Sequence, residues 1–116
     1  MINTNKPTVH LVTSAKWFKL IQKGIKTVDY REIKQYYGRL FSCGQIRING
    51  MYYQDYEVNI CLHLRGGKYH ATMLLECEGL SVGVGKPEWG AEPNVPYYRL
   101  CLGKILAVRK YKLKLL

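Results

Sequence analysis

Glu57-Val58-Asn59-Ile60-Cys61-Leu62-His63-Leu64-Arg65-Gly66-Gly67-Lys68-Tyr69-His70-Ala71-Thr72-Met73-Leu74-Leu75-Glu76-Cys77 is the stretch that decides the fold. Val58, Ile60, Leu62 and Leu64 recur at every second residue, the period of a strand, and so share one face. Tyr69, Ala71, Met73 and Leu75 supply the matching face of a second strand. Gly66-Gly67 between them tolerates the positive φ that a two-residue hairpin turn demands. The pattern predicts an antiparallel hairpin with Leu62, Leu64, Ala71 and Met73 inward and Cys61, His63 and His70 outward. A two-residue turn also sets His63 opposite His70.

Moving outward, residues 8–13 alternate around Val9, Leu11 and Val12 and read as a first strand. Ser14 then stands where a helix cap belongs, before a short helix over 15–23, and Gly24 offers the left-handed residue that ends one. Trp17, Phe18, Leu20 and Ile21 form its apolar face and are expected in the core. Lys16, Lys19 and Lys23 fall opposite. Over 27–33 the period returns to two, with Val28 and Tyr30 on one side and Thr27, Asp29 and Arg31 on the other. After a polar-aromatic segment (34–40), residues 45–49 form a strand with Ile46 and Ile48 inward, ending at an Asn49-Gly50 turn. Residues 83–96 read as a long Gly/Pro loop, a length more often functional than connective. Residues 97–102, Gly103, and a final strand from 104 to about 113 close the chain, with Lys110, Lys112 and Lys114 along one side. Strands in hairpins with one early helix, and no βα alternation, point to an antiparallel barrel or α+β domain.

The whole chain, 116 residues, is the size of one domain, and no linker or repeat divides residues 1–116. Its 47% hydrophobic content excludes a disordered chain. The apolar runs are only a few residues long, against the roughly 20 of a membrane span, and residues 1–10 carry no signal-peptide pattern. The expectation is a cytoplasmic monomer that engages no membrane. Eighteen Lys and Arg against eight Asp and Glu give a formal charge of +10, which favours polyanionic partners.

Gly24-Ile25-Lys26-Thr27-Val28-Asp29-Tyr30-Arg31 leaves a helix and enters a strand. It resembles the signature of the ASCH family, Gly-x-Lys-x-x-Glu-x-Arg directly after the first helix, with Asp29 at the Glu position. Trp17-Phe18-Lys19-Leu20-Ile21 resembles that family's aromatic-rich helix, and Tyr36-Tyr37-Gly38-Arg39-Leu40 its segment after the signature. Glu88-Trp89-Gly90-Ala91-Glu92 and Leu102-Gly103-Lys104-Ile105 are similar to its closing loop and last strand. The resemblance implies a PUA-like antiparallel β-barrel with one N-terminal helix and short peripheral helical turns. It also implies a basic cleft between the helix side and the closing loop, floored by the signature. Members are generally proposed to bind RNA. Some small relatives are amidohydrolases that deacylate N4-acetylcytidine with a Lys, a Thr three residues later and a closing-loop Glu. Lys26 matches that Lys, Asp29 stands where the Thr would be, and Glu88 or Glu92 would be the acid. Asp cannot supply an activated hydroxyl.

The residues themselves suggest parallel roles. Lys26 offers a cation to a phosphate or a developing oxyanion. Asp29 and Arg31, on one strand face, can pair with each other or split the edges of a base between acceptor and donor. Trp89 and the Tyr36-Tyr37 pair offer stacking faces, and Lys110 and Lys112 offer cations to a backbone. Two functions follow: a module that binds RNA or a nucleotide-containing ligand, or a small hydrolase of a modified nucleoside. No cofactor or metal is expected. Cys43, Cys61, Cys77 and Cys101 lack CxxC pairing, His63, His70 and Cys61 lack a completing acid, and Gly83-Val84-Gly85 lacks a phosphate-loop ending.

Overall fold

A computed structural model describes residues 6–42, 44–63 and 69–110. The element order is β1 (Thr8–Thr13), α1 (Ala15–Gln22), β2 (Val28–Glu32), α2 (Gln35–Leu40), β3 (Phe41–Ser42), β4 (Gln45–Ile48), β5 (Met51–Tyr53), β6 (Glu57–His63), β7 (Tyr69–Val84), a 3-10 turn (Pro87–Trp89) and β8 (Pro96–Lys110). The result is an α+β fold dominated by sheet. Five strands lie in the order β1-β6-β7-β8-β2, and β3-β4-β5 form a second, smaller sheet.

The two sheets share one core. Val58, Ile60, Met73, Leu75 and Leu100 of the large sheet pack with Phe41 and Ile46 of the small one, and Phe18 and Ile21 of α1 close an end. The hairpin register follows the sequence pattern through Leu62↔Ala71 and then shifts, so that His63 lies opposite Tyr69 rather than His70. Ala71 and Met73 are buried as expected, and Leu62 is partly buried. Cys61 is a correction: it points away from the core yet is buried, flanked by Val12 on β1 and Thr72 on β7. A small side chain on a central strand is covered by its taller neighbours. Leu64, the Gly66-Gly67 turn, Cys43, Lys112 and Lys114 lie outside the described residues, as do the side-chain positions of His63 and His70.

The closed antiparallel barrel is also corrected. β1 pairs with β6 in parallel, and the five-stranded ladder ends at β1 and β2 without a backbone pairing between them. The two edges are joined instead by a side chain: the Arg31 guanidinium on β2 donates to the Val12 carbonyl on β1 at 2.9 Å. Gly83, read as the start of a loop, and Gly103, read as an interruption, both lie within strands. β7 continues through Gly79 and Gly83, β8 continues through Gly103, and irregularities between Leu74 and Gly79 absorb the mismatch. The loop therefore spans residues 85–95. The Asn49-Gly50 turn holds, with both residues at positive φ (51° and 79°).

Candidate functional site

The seam between β1 and β2 is where Lys26, Asp29 and Arg31 meet. Gly24, at φ 75°, turns the chain back at the end of α1, and the N–H groups of Ile25 and Lys26 both donate to the Leu20 carbonyl. That pins Lys26 to the helix terminus. Ser14 holds the opposite end in extended geometry, but its hydroxyl makes no capping bond. β2 is then fixed along β8, Asp29 opposite Leu100 and Arg31 opposite Tyr98, which turns both toward the interior.

Lys26 and Asp29 are the two buried charged residues among those described, 4% and 2% exposed. Arg31 Nε donates to Asp29 Oδ2 at 2.7 Å and its NH2 group to Oδ1 at 3.3 Å, a two-point contact. Lys26 Nζ stands 4.0 Å from Asp29 Oδ1. One carboxylate thus serves two cations. Arg31 also reaches the Tyr37 hydroxyl, so Tyr37 supports the site from behind. Burial lowers the Lys26 ammonium from its ordinary range; Asp29 pulls it back up in part, and Arg31 pushes it further down. Burial would also lower Arg31, but the charge and hydrogen bonds of Asp29 raise it overall.

A cavity of about 410 Å³ opens over this cluster, walled by Trp17 and Ser14 on one side and by Trp89, Gly90 and Glu92 of the closing loop on the other. The Lys26 ammonium lies 4.8 Å from the Trp17 ring centroid and 5.8 Å from that of Tyr30. Two tyrosine hydroxyls anchor the loop above: Tyr30 accepts from the Lys86 N–H and Tyr97 from the Glu92 N–H, both at 3.0 Å. Gly90 sits at φ 99°, and a Cβ there would stand 2.9 Å from Trp17 Cζ2. Gly90→Ala is therefore expected to cost about 1–2 kcal/mol through backbone strain and to displace Trp17, which urea denaturation and tryptophan fluorescence would register.

Lys26, Asp29, Arg31, Trp89 and Glu92 converge as the sequence suggested. Glu88 and Tyr36 do not line the cavity: both are exposed, Tyr36 at 67%. Lys110 lies exposed at the end of β8. The wall residue that sequence reading missed is Trp17, assigned there to the core; its neighbour Phe18 is the one buried. The cavity is also less basic than the chain, since Asp29, Glu32 and Glu92 face Lys26 and Arg31. Among the described residues no cluster of three or more His, Cys, Asp or Glu forms a metal site, and no helix is long and apolar enough to cross a membrane. No family model, curated protein or solved structure matches the chain.

Proposed function

We propose that the chain is a PUA-like domain of the ASCH type that binds RNA or a nucleotide-containing ligand, with a base held in the seam cavity. The observation that carries this reading is the convergence of Lys26, Asp29 and Arg31 between Trp17 and Trp89. Indole faces stack any base, and the buried polar cluster below offers both donors and an acceptor to its edge. The charge balance of the lining suits an uncharged base better than a phosphate.

Titration with ribonucleosides, followed by isothermal calorimetry, tests the reading. Trp17→Ala and Trp89→Ala are each expected to weaken binding about tenfold, the worth of one stacked base. Nucleosides that bind no better to the native protein than to the doubly substituted one would remove the cavity as a base site.

One observation favours a hydrolytic reading beside it. A buried ammonium can stabilise a developing oxyanion, and Glu92 lines the same cavity as a carboxylate for proton transfer. Release of acetate from N4-acetylcytidine, lost in Lys26→Ala, would establish it.

A further inference from the structure

A second cavity, of about 350 Å³, lies beyond the closing loop against the outer faces of β2, β7 and β8. Tyr30 and Trp89 line both cavities and form the wall between them. The two chambers differ in charge. The seam cavity holds three carboxylates, and its Arg31 is already bonded to Asp29. The second holds Lys86 and Arg99 with the hydroxyls of Thr27 and Ser81, and its lining contains no carboxylate.

Arg99 is held in place before any ligand arrives. Its Nε donates to Ser81 Oγ at 3.1 Å and its NH1 group to the Val84 carbonyl at 3.3 Å. A Cβ on Gly83 would stand 2.6 Å from Arg99 Cζ, so the guanidinium lies directly on the glycine backbone. A guanidinium has five N–H donors, and these two bonds leave the others to an oxyanion. Because the fork is fixed by its neighbours, little side-chain freedom is lost on binding. Lys86 adds a second cation, its Nζ 4.3 Å from the Trp89 ring centroid.

We propose that this cavity is a phosphate subsite, holding the phosphate of a nucleotide whose base lies across the Tyr30–Trp89 wall in the seam cavity. The inference rests on the base-binding reading above and narrows its ligand class to nucleotides or strands rather than free nucleosides. Phosphate finds two cations and two hydroxyls in one chamber and carboxylates in the other, so the charge pattern also sets the ligand's orientation.

Tryptophan fluorescence can measure dissociation constants on the full chain for the four ribonucleosides, their 5′- and 3′-monophosphates, and inorganic phosphate. At least one monophosphate is expected to bind about tenfold tighter than its nucleoside. Lys86→Gln and Arg99→Gln should each shrink that advantage to less than about threefold. Gly83→Ala should do the same without altering any charge, by displacing the guanidinium. Lys86 is exposed, so its variant retains a readout even where an Arg99 substitution disturbs the strands. Equal affinities for nucleoside and monophosphate in the native protein would overturn the proposal. So would a phosphate advantage that survives both charge substitutions. If neither nucleosides nor monophosphates bind, the base-site reading fails and takes this one with it. Nucleosides that bind without any phosphate preference sink the subsite alone.

Discussion

Asp29→Ala is expected to destabilise the protein by about 3–5 kcal/mol, the cost of leaving buried cations without their counter-charge. Asp29 is 2% exposed and is the carboxylate that faces both Lys26 and Arg31. Without it, Arg31 loses a two-point contact, and Lys26 is left beside a like charge in a poorly hydrated site. The Arg31 guanidinium is also the bridge to the Val12 carbonyl, so misplacing it loosens the seam. Asp29→Asn keeps a hydrogen-bond acceptor and should lose less. Urea denaturation of both variants at neutral pH measures the difference. A loss below about 1 kcal/mol in the alanine variant would mean that the cluster is hydrated and the ion pair of little weight.

Lys26→Met should act in the opposite direction on stability while removing function. The native ammonium is buried and its pKa is lowered below 10.5. Between that lowered value and 10.5, the unfolded chain holds a proton on Lys26 that the folded chain lacks, so folding stability rises with pH across the window. Below the window both states are protonated, and the penalty of burying the charge is present in full. Met fills a similar volume without charge, and Asp29 keeps Arg31 as its partner. A gain of about 1 kcal/mol at neutral pH follows, together with loss of the Lys26 contribution to the alkaline slope. Base binding should weaken about tenfold or more, and any deacylation should fall by at least about a hundredfold. Paired denaturation curves from neutral to alkaline pH give the first result, and ligand titration gives the second. A variant that is both less stable and fully able to bind would show Lys26 to be a structural group.

The parts of the fold that sequence reading recovered are those fixed by local periodicity. The alternation of Val58, Ile60 and Leu62 against Ala71 and Met73 gave the β6–β7 register up to Leu62, and Asn49-Gly50 gave the turn between β4 and β5. What it missed depends on contacts between distant segments. The parallel pairing of β1 with β6 leaves no trace in either strand alone. Cys61 obeys the alternation, but on a central strand the second face can be covered too. Gly83 and Gly103 looked like breaks, yet the flat guanidinium of Arg99 lies on Gly83 and the Glu78 side chain packs where a Cβ of Gly103 would stand. The cluster of Lys26, Asp29 and Arg31 was legible because a helix end and a two-residue period fix three residues close in sequence. Trp17 was not, since its helical position fits the flank of a core-facing stripe as well as a cavity wall.

The pairing of β2 with β8 has a consequence for the order in which the chain acquires its site. Lys26, Asp29 and Arg31 are translated early, but Asp29 is set in place by Leu100 and Arg31 by Tyr98, near the other end of the described sequence. The N–H of Leu102 likewise fixes the Thr27 carbonyl beside them. Until that late strand emerges, the cations and their shared carboxylate have no sheet to hold them, because β8 is the strand with which β2 pairs. Contacts so far apart in sequence also form slowly, because loop closure precedes any gain from them. A nascent chain therefore carries Lys26, Asp29 and Arg31 without the pocket, whose floor is complete only when β8 has been laid down.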